Sequence, residues 1–219
     1  MATQLEPTIR VDIVSDVVCP WCAIGYLQLA RAAEENKIDL EVYWHPFELN
    51  PHMAQDGENL FEHLSAKYGI TAEQSQQTRA QITQLGAELG FQFNFSDDMY
   101  MWNTFLAHQL IDWAATQGAG HACKQALLKA HFQDRRNIGD VEVLVEIASE
   151  IGLDRTAARD TLEAGTHADD VRRKQAFWTS KGIQGVPTMI FAARYAVTGA
   201  QGVENYGAIL QKVATETAA

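Results

Sequence analysis

The sequence predicts an α/β fold in which one sheet is divided by a long helical insertion. Apolar and polar residues alternate near both ends of the chain, which is typical of strands. Residues 58–166 instead show helical segments separated by glycine-containing breaks. We therefore predict that residues 1–57 and 167–219 form one α/β domain and that residues 58–166 form an all-helical subdomain inserted into it.

The N-terminal part predicts a β-α-β unit. Ile9, Val11 and Ile13 alternate with polar residues and indicate a strand, residues 19–35 follow a helical pattern, and residues 38–44 alternate again. A connection of this length between two strands favours parallel pairing with a right-handed crossover.

The C-terminal part supplies the rest of the predicted sheet. A helix over residues 167–181 precedes an apolar strand at 185–191, a short partner strand at 195–198 and a last helix from residue 203 to about 213. Residues 91–95 alternate like a strand but end at a polar run, so we predict an extended linker there. Helices of the insertion are predicted at residues 60–67, 72–89, 102–116, 123–133, 141–151 and 156–164.

Composition and charge exclude several functional classes. Of 219 residues, 47% are hydrophobic, enough for a substantial core. The formal net charge is −11, from 17 basic and 28 acidic residues, and such a surface repels nucleic acids and anionic membranes. The basic run Arg172-Arg173-Lys174 follows two aspartates and indicates a solvated helix face. We expect neither nucleic acid nor a membrane as a partner.

The N-terminus gives an expectation about location. Residues 1–8 show no basic start followed by an apolar run, the pattern of a signal peptide. No apolar stretch approaches the ~18 residues of a membrane-spanning helix. We therefore expect a cytoplasmic protein, in which a close cysteine pair indicates redox chemistry or a metal.

Cys19-Pro20-Trp21-Cys22 has three interpretations: zinc ligands, a redox dithiol or coincidence. Structural zinc needs four protein ligands, and His121 and Cys123 could complete a site only from a loop, because residues two apart diverge on a helix. A redox dithiol is favoured because the pair follows a strand and opens a helix. We therefore expect no metal.

The position of the pair predicts a role for each cysteine. A helix N-terminus favours an anion, and therefore a thiolate at Cys19, which would be the nucleophile. Cys22 lies one helical turn further on, points inward and would resolve the mixed disulfide. Pro20 is tolerated in a first helical turn because its missing N–H has no partner there. Trp21 is predicted to be exposed, either as a substrate contact or as packing at the sheet edge.

Val186-Pro187 is the second predicted element of the site. A proline at the start of a strand is an ordinary edge position. Together with the cysteine pair, however, it indicates a thioredoxin-like fold, in which this proline is cis and lies against the dithiol. The backbone of Val186 could then pair with an extended substrate.

The chain resembles the FrnE-like branch of the DsbA-like thioredoxin-fold oxidoreductases. The resemblance rests on the run from Ser15 to Cys22 with Ile24-Gly25, on Trp44 and the run from Pro46 to Pro51, and on motifs distributed over nearly the whole chain. These further motifs are Asn103-Thr104, Ala107-His108, Ala130-His131-Phe132, Gly185-Val186-Pro187-Thr188 and Gly199-Ala200-Gln201.

This resemblance implies a thioredoxin domain with a helical insertion and dithiol redox activity. It also implies kinship with 2-hydroxychromene-2-carboxylate isomerase and kappa-class glutathione transferase, which typically carry Ser at the position of Cys19. By resemblance and placement, Asn50, Asn103 and His108 are candidate substrate contacts.

We therefore expect a thiol–disulfide oxidoreductase, a protein disulfide oxidoreductase of the DsbA type. It would act on protein or small-molecule thiols and disulfides, without a cofactor beyond a thiol partner such as glutathione. Two alternatives stay open: a glutathione-dependent isomerase or transferase, and a non-enzymatic chaperone or binding module. Both a monomer and a homodimer are compatible with the sequence.

Overall fold

The computed structural model describes residues 7–217. From the N-terminus, the strands and helices follow in this order: β1 (Thr8–Ser15), α1 (Pro20–Asn36), β2 (Asp39–Pro46), β3 (Glu58–Asn59), α2 (Leu60–Tyr68), α3 (Ala72–Glu88), β4 (Tyr100–Met101), α4 (Phe105–Thr116), α5 (Gly120–Phe132), α6 (Val141–Glu150), α7 (Arg155–Ala164), α8 (Ala168–Ser180), β5 (Thr188–Phe191), β6 (Tyr195–Thr198) and α9 (Val203–Thr217). The predicted α/β architecture with an inserted helical segment is confirmed.

The main sheet has the strand order β2-β1-β5-β6. β1 and β2 are parallel, as the β-α-β pattern predicts, whereas β5 is antiparallel to both β1 and β6. Because β1 and β5 are neighbours, the chain leaving β1 lies close to the chain entering β5. This pairing places the N-terminal and C-terminal parts of the sequence side by side in the centre of the sheet.

The main sheet and two helices share one hydrophobic cluster. α1 and α9 pack against each other, and their apolar residues join those of β1 and β5. Ile13, Leu29, Phe191 and Tyr206 are among its fully buried members. Burial of each such side chain contributes on the order of 2 kcal/mol, so this cluster holds the middle and end of α1 firmly on the sheet.

The insertion has its own core and also packs on α1. A cluster formed mainly by α4–α7 includes Leu110, Leu127 and Leu144, together with Val17 and Val18 from the turn before α1. A second cluster joins Ile24 of α1 to the α3, α5 and linker residues Ile82, Leu128 and Phe93. The insertion therefore contacts both sides of the segment that carries the cysteines.

The elements differ from the predictions at several boundaries. β5 begins at Thr188, not at residue 185, and α9 continues to Thr217, beyond the predicted end near residue 213. α4 begins at Phe105, not at residue 102, because the side chain of Asn103 accepts the Phe105 N–H at 3.0 Å. α5 begins at Gly120, before the predicted start at residue 123. The insertion also contains the β3–β4 ribbon, which is only two residues long on each side and therefore too short to show alternation. The proposed domain boundaries stay a prediction.

Residues 91–95 form neither a helix nor a strand, as predicted for a linker, and Phe93 among them is buried in the core of the insertion. Across the described span 7–217, no helix is long and apolar enough to cross a membrane.

Candidate active site

The turn between β1 and α1 presents the cysteine pair. Cys19 is the N-cap of α1 with extended backbone angles, and Pro20 occupies the first helical position. The Cys22 N–H donates to the Cys19 carbonyl at 3.1 Å, which closes the first turn. The Cys19 sulfur therefore lies at the positive end of the helix dipole, where an anion is stabilised.

The two cysteines differ in their surroundings. Both are free thiols, with Cys19 4% exposed and Cys22 fully buried. Burial raises the pKa of the Cys22 thiol well above its ordinary value, and the neighbouring Cys19 sulfur raises it further. Cys22 is thus held as a neutral thiol in the resting state, as its inward position predicts.

The loop before β5 completes the dithiol site. The Val186–Pro187 peptide bond is cis, as predicted. The Cys19 sulfur lies 3.8 Å from the Val186 carbonyl oxygen, within the range of a thiol hydrogen bond. Gly25 permits this approach, because a Cβ atom there would lie 3.1 Å from the Pro187 side chain. The side chain of Trp21 is 39% exposed beside this site.

Asp16 is a buried carboxylate close to the dithiol. Its oxygens accept hydrogen bonds from the Val17 N–H and the Leu49 N–H, each at 2.8 Å, and from His108 Nε2 at 3.1 Å. Burial opposes its ionisation, but the hydrogen bond and charge of His108, with the Leu49 N–H, hold its pKa below the ordinary value. Asp16 therefore fixes the turn between β1 and α1 and joins it to Leu49 and to His108 of the insertion.

Asn50, Asn103 and His108 are placed differently from one another. The side-chain oxygen Oδ1 of Asn50 accepts hydrogen bonds from Lys67 Nζ at 2.6 Å and from His63 Nε2 at 3.0 Å. Asn50 is half-buried. Asn103 donates to the Met53 carbonyl at 2.7 Å and braces the start of α4. These bonds engage the Oδ1 atom of Asn50 and both polar atoms of the Asn103 side chain within the protein.

His108 is 2% exposed, and its Nε2 lies 3.1 Å from both Asp16 and the Phe47 carbonyl. Since both partners accept hydrogen bonds, Nε2 carries a hydrogen. The geometry therefore gives His108 an internal role in holding Asp16, and it offers no direct contact with substrate.

Two residues of α5 are buried basic side chains, a placement that was not predicted for either of them. Lys124 is 1% exposed and His131 is 2% exposed. They share a helix face with Leu127 and Leu128, at the spacing i, i+3, i+4 and i+7 that marks a buried stripe. This spacing was the signal that could have identified them.

His121 is not available for the zinc interpretation. It lies on α5, where Trp44 Nε1 donates to its Nδ1 and the Tyr26 hydroxyl lies 3.1 Å from its Nε2. Both ring nitrogens are therefore engaged. Cys123 is fully buried on the same helix, and burial raises its pKa to about 12.

Asp112, His167 and Asp170 form a cluster with metal-like spacing. Asp112 is already paired with His167 at 2.8 Å and with Lys174. Its negative charge is therefore balanced by side chains of the protein.

Comparisons with known proteins agree with this fold. Residues 10–211 match the family model described as the DSBA-like thioredoxin domain. The uncharacterized protein YwbO of Bacillus subtilis (strain 168) is 32% identical over 200 residues, which are 89% of this chain and 92% of that protein. The crystal structure of the probable DsbA oxidoreductase SCO1869 from Streptomyces coelicolor has a TM-score of 0.88 at 31% identity, covering 95% of this chain and 91% of that chain.

A more distant structure shares the fold alone. The 2-hydroxychromene-2-carboxylate isomerase has a TM-score of 0.71 at 12% identity, covering 95% of this chain and 98% of that chain. With the family model matching nearly the whole sequence, this chain belongs to the DsbA-like thioredoxin-domain family.

Proposed function

We propose that this protein is a thiol–disulfide oxidoreductase of the FrnE-like branch, with Cys19 as the nucleophile and Cys22 as the resolving thiol. The observation that carries the proposal is the position of the Cys19 sulfur, at the N-terminus of α1 and 3.8 Å from the Val186 carbonyl. A thiolate there is stabilised by the helix dipole and faces a backbone edge that can hold an extended substrate.

The reaction proceeds in two balanced exchanges. The Cys19 thiolate attacks a substrate disulfide, forms a mixed disulfide and releases one substrate thiolate. Cys22 then loses its proton and attacks the Cys19 sulfur, which forms the Cys19–Cys22 disulfide and releases the second substrate thiol. Two electrons pass from the dithiol to the substrate, and a small thiol such as glutathione returns them. The same steps run in reverse when the protein acts as an oxidant.

The proposal also covers the substrates, the cofactors and the location of this reaction. Protein or small-molecule disulfides are the substrates, and no metal or organic cofactor takes part. The protein acts in the cytoplasm, where a close cysteine pair is kept available for exchange.

The experiment measures insulin reduction with glutathione as the electron source, together with titration of accessible thiols. We expect Cys19→Ser to lose all activity above background. Cys123→Ser is the matched control, since this buried thiol lies outside the exchange, and it should keep full activity. Full activity of Cys19→Ser would show that the assignment is wrong.

The fold shared with 2-hydroxychromene-2-carboxylate isomerase supports a second candidate, a glutathione-dependent isomerase. Turnover of a chromene carboxylate that survives Cys22→Ser would favour it over disulfide exchange. Client binding by Cys19→Ser, without turnover of either kind, would favour a chaperone.

A further inference from the structure

The loop before β5 carries the backbone edge that faces the nucleophile. Val186 lies in this loop, and its carbonyl oxygen is 3.8 Å from the Cys19 sulfur. Within residues 7–217, no backbone group pairs with the N–H or the carbonyl of Val186, and the residue is half-buried. Val186 can therefore offer both groups to an extended substrate that approaches Cys19.

The hydroxyl of Thr188 closes this loop with a hydrogen bond. It donates to the Gly185 carbonyl at 2.8 Å, so one bond joins the residue before Val186 to the residue after Pro187. Thr188 is 2% exposed, and its hydroxyl carries a single hydrogen, which this bond uses. The Thr198 hydroxyl, 2.9 Å away, therefore donates to the Thr188 oxygen.

Thr188 is itself held by a strand on each side. As the first residue of β5, it pairs with Val14 of β1 and with Thr198 of β6. β1 leads directly into the turn that carries Cys19, so the position of Thr188 is fixed relative to that turn. The bond from its hydroxyl therefore joins Gly185, at the other end of the loop, to the main sheet.

The C-terminal side of the loop has separate hydrogen bonds. The Gly199 N–H donates to the Pro187 carbonyl at 2.7 Å, and the buried Tyr206 hydroxyl donates to the Gly199 carbonyl at 3.0 Å. These bonds hold Pro187, but neither of them reaches Gly185. In the part of the chain that the structure describes, the Thr188 hydroxyl is the only side-chain group bonded to the Gly185 carbonyl.

We propose that Thr188 is a positioning residue for protein and peptide disulfides. Its hydroxyl holds the N–H and carbonyl of Val186 in the direction in which they can pair with an extended substrate beside Cys19. The inference rests on the proposed function and deepens it. Misplacement of a reacting group by about 1 Å can lower a rate on the order of a hundredfold. A small disulfide without a peptide backbone makes no such pairing, so its reaction should not depend on Thr188.

The test compares three variants with the wild type. Thr188→Val keeps the shape of the side chain without the hydroxyl, and Thr188→Ser keeps the hydroxyl. Thr198→Val is the matched control, because it removes the neighbouring hydroxyl and leaves the bond to Gly185 in place. For each reduced protein, we would measure the second-order rate constant of its oxidation by a disulfide-bonded peptide and by hydroxyethyl disulfide, using acid quenching and mass spectrometry.

We expect Thr188→Val to react about tenfold more slowly with the peptide and at the wild-type rate with hydroxyethyl disulfide. Thr188→Ser and Thr198→Val should match the wild type with both substrates. Wild-type rates of Thr188→Val with both substrates would overturn the inference. An equal loss with both would also overturn it, because a general defect in the fold does not distinguish the two substrates.

A second measurement does not depend on the folding of a variant. The wild type is oxidised by a series of peptides that are N-methylated in turn at the cysteine and at the residue on either side. We expect one member of the series to react about tenfold more slowly, because it cannot donate to the Val186 carbonyl. Equal rates throughout the series would overturn the inference. If the wild type reacts with neither the unmodified peptide nor hydroxyethyl disulfide, the proposed function itself fails.

Discussion

The thioredoxin-like part and the helical insertion contribute different chemistry to the site. The β1–α1 turn and the loop before β5 supply the two sulfurs and the Val186 carbonyl beside them. The insertion supplies three buried basic side chains, His108, Lys124 and His131, of which His108 bonds Asp16 in the β1–α1 turn. Reactive atoms and their charge environment thus lie on separate segments of the chain, so each can be altered without rebuilding the other.

The largest expected effect comes from removing the resolving sulfur. With Cys22→Ser, the mixed disulfide on Cys19 has no internal thiol to break it. Turnover should fall to background, and mass spectrometry should find a covalent substrate adduct on Cys19. Normal turnover without an adduct would contradict the assigned roles of the pair.

We expect one buried histidine of the insertion to make the stability of the protein depend on pH. Burial lowers the pKa of His131 to about 4, and its Nδ1 has no hydrogen-bond partner. The unfolded chain therefore binds a proton at His131 more readily than the folded chain does. As the pH falls from about 6.5 to about 4, the free energy of unfolding decreases by roughly 3 kcal/mol.

We expect His131→Leu to flatten this acid limb in urea unfolding at several pH values. His52→Leu replaces an exposed histidine and serves as the control, so it should keep the wild-type slope. An unchanged slope in His131→Leu would show that another group governs acid unfolding.

Substitutions at two glycines should affect different properties: Gly25→Val both stability and turnover, and Gly86→Ala stability alone. A side chain at Gly25 would press on Pro187 beside the dithiol, so Gly25→Val should cost about 1–3 kcal/mol and also lower the turnover of folded protein. In the insertion, a Cβ at Gly86 would lie 2.6 Å from the Phe91 carbonyl, so Gly86→Ala should destabilise by a similar amount.

Turnover per folded molecule should stay at the wild-type level in Gly86→Ala. The measurement is chemical denaturation paired with insulin reduction well below the unfolding transition. Equal loss of turnover in the two variants would remove the distinction between the two regions.

The smallest effect is expected at Trp21. Because its side chain is 39% exposed, Trp21→Ala should change stability by no more than about 0.5 kcal/mol. If Trp21 contacts protein substrates, the KM for insulin should rise a few-fold while kcat for a small disulfide stays the same. If the KM for insulin is the same in the variant and the wild type, Trp21 has a packing role only.

Local sequence patterns predicted most of the fold and the placement of the two cysteines at the start of a helix. Alternation predicted the four strands of the main sheet, and the C-x-x-C after a strand predicted the helix N-terminus with Cys19 at its cap. The cis peptide before Pro187 followed from combining that motif with a proline at a strand start.

The buried charges could not be predicted in the same way. Asp16 and His108 are 92 positions apart in sequence, and their pairing depends on how the insertion folds back over the β1–α1 turn. Lys124 looks like an ordinary solvated lysine until its neighbours Leu127 and Leu128 are seen to face the core. Helix periodicity identifies a buried face, but tertiary packing decides what that face meets.

The most direct test of the central claim is a redox titration of the purified protein in glutathione buffers, read by mass spectrometry of the trapped thiols. The account predicts one reversible two-electron transition, between about −270 and about −120 mV, that joins Cys19 to Cys22 and leaves Cys123 a free thiol. A pair that stays reduced throughout, or a disulfide that includes Cys123, would contradict it.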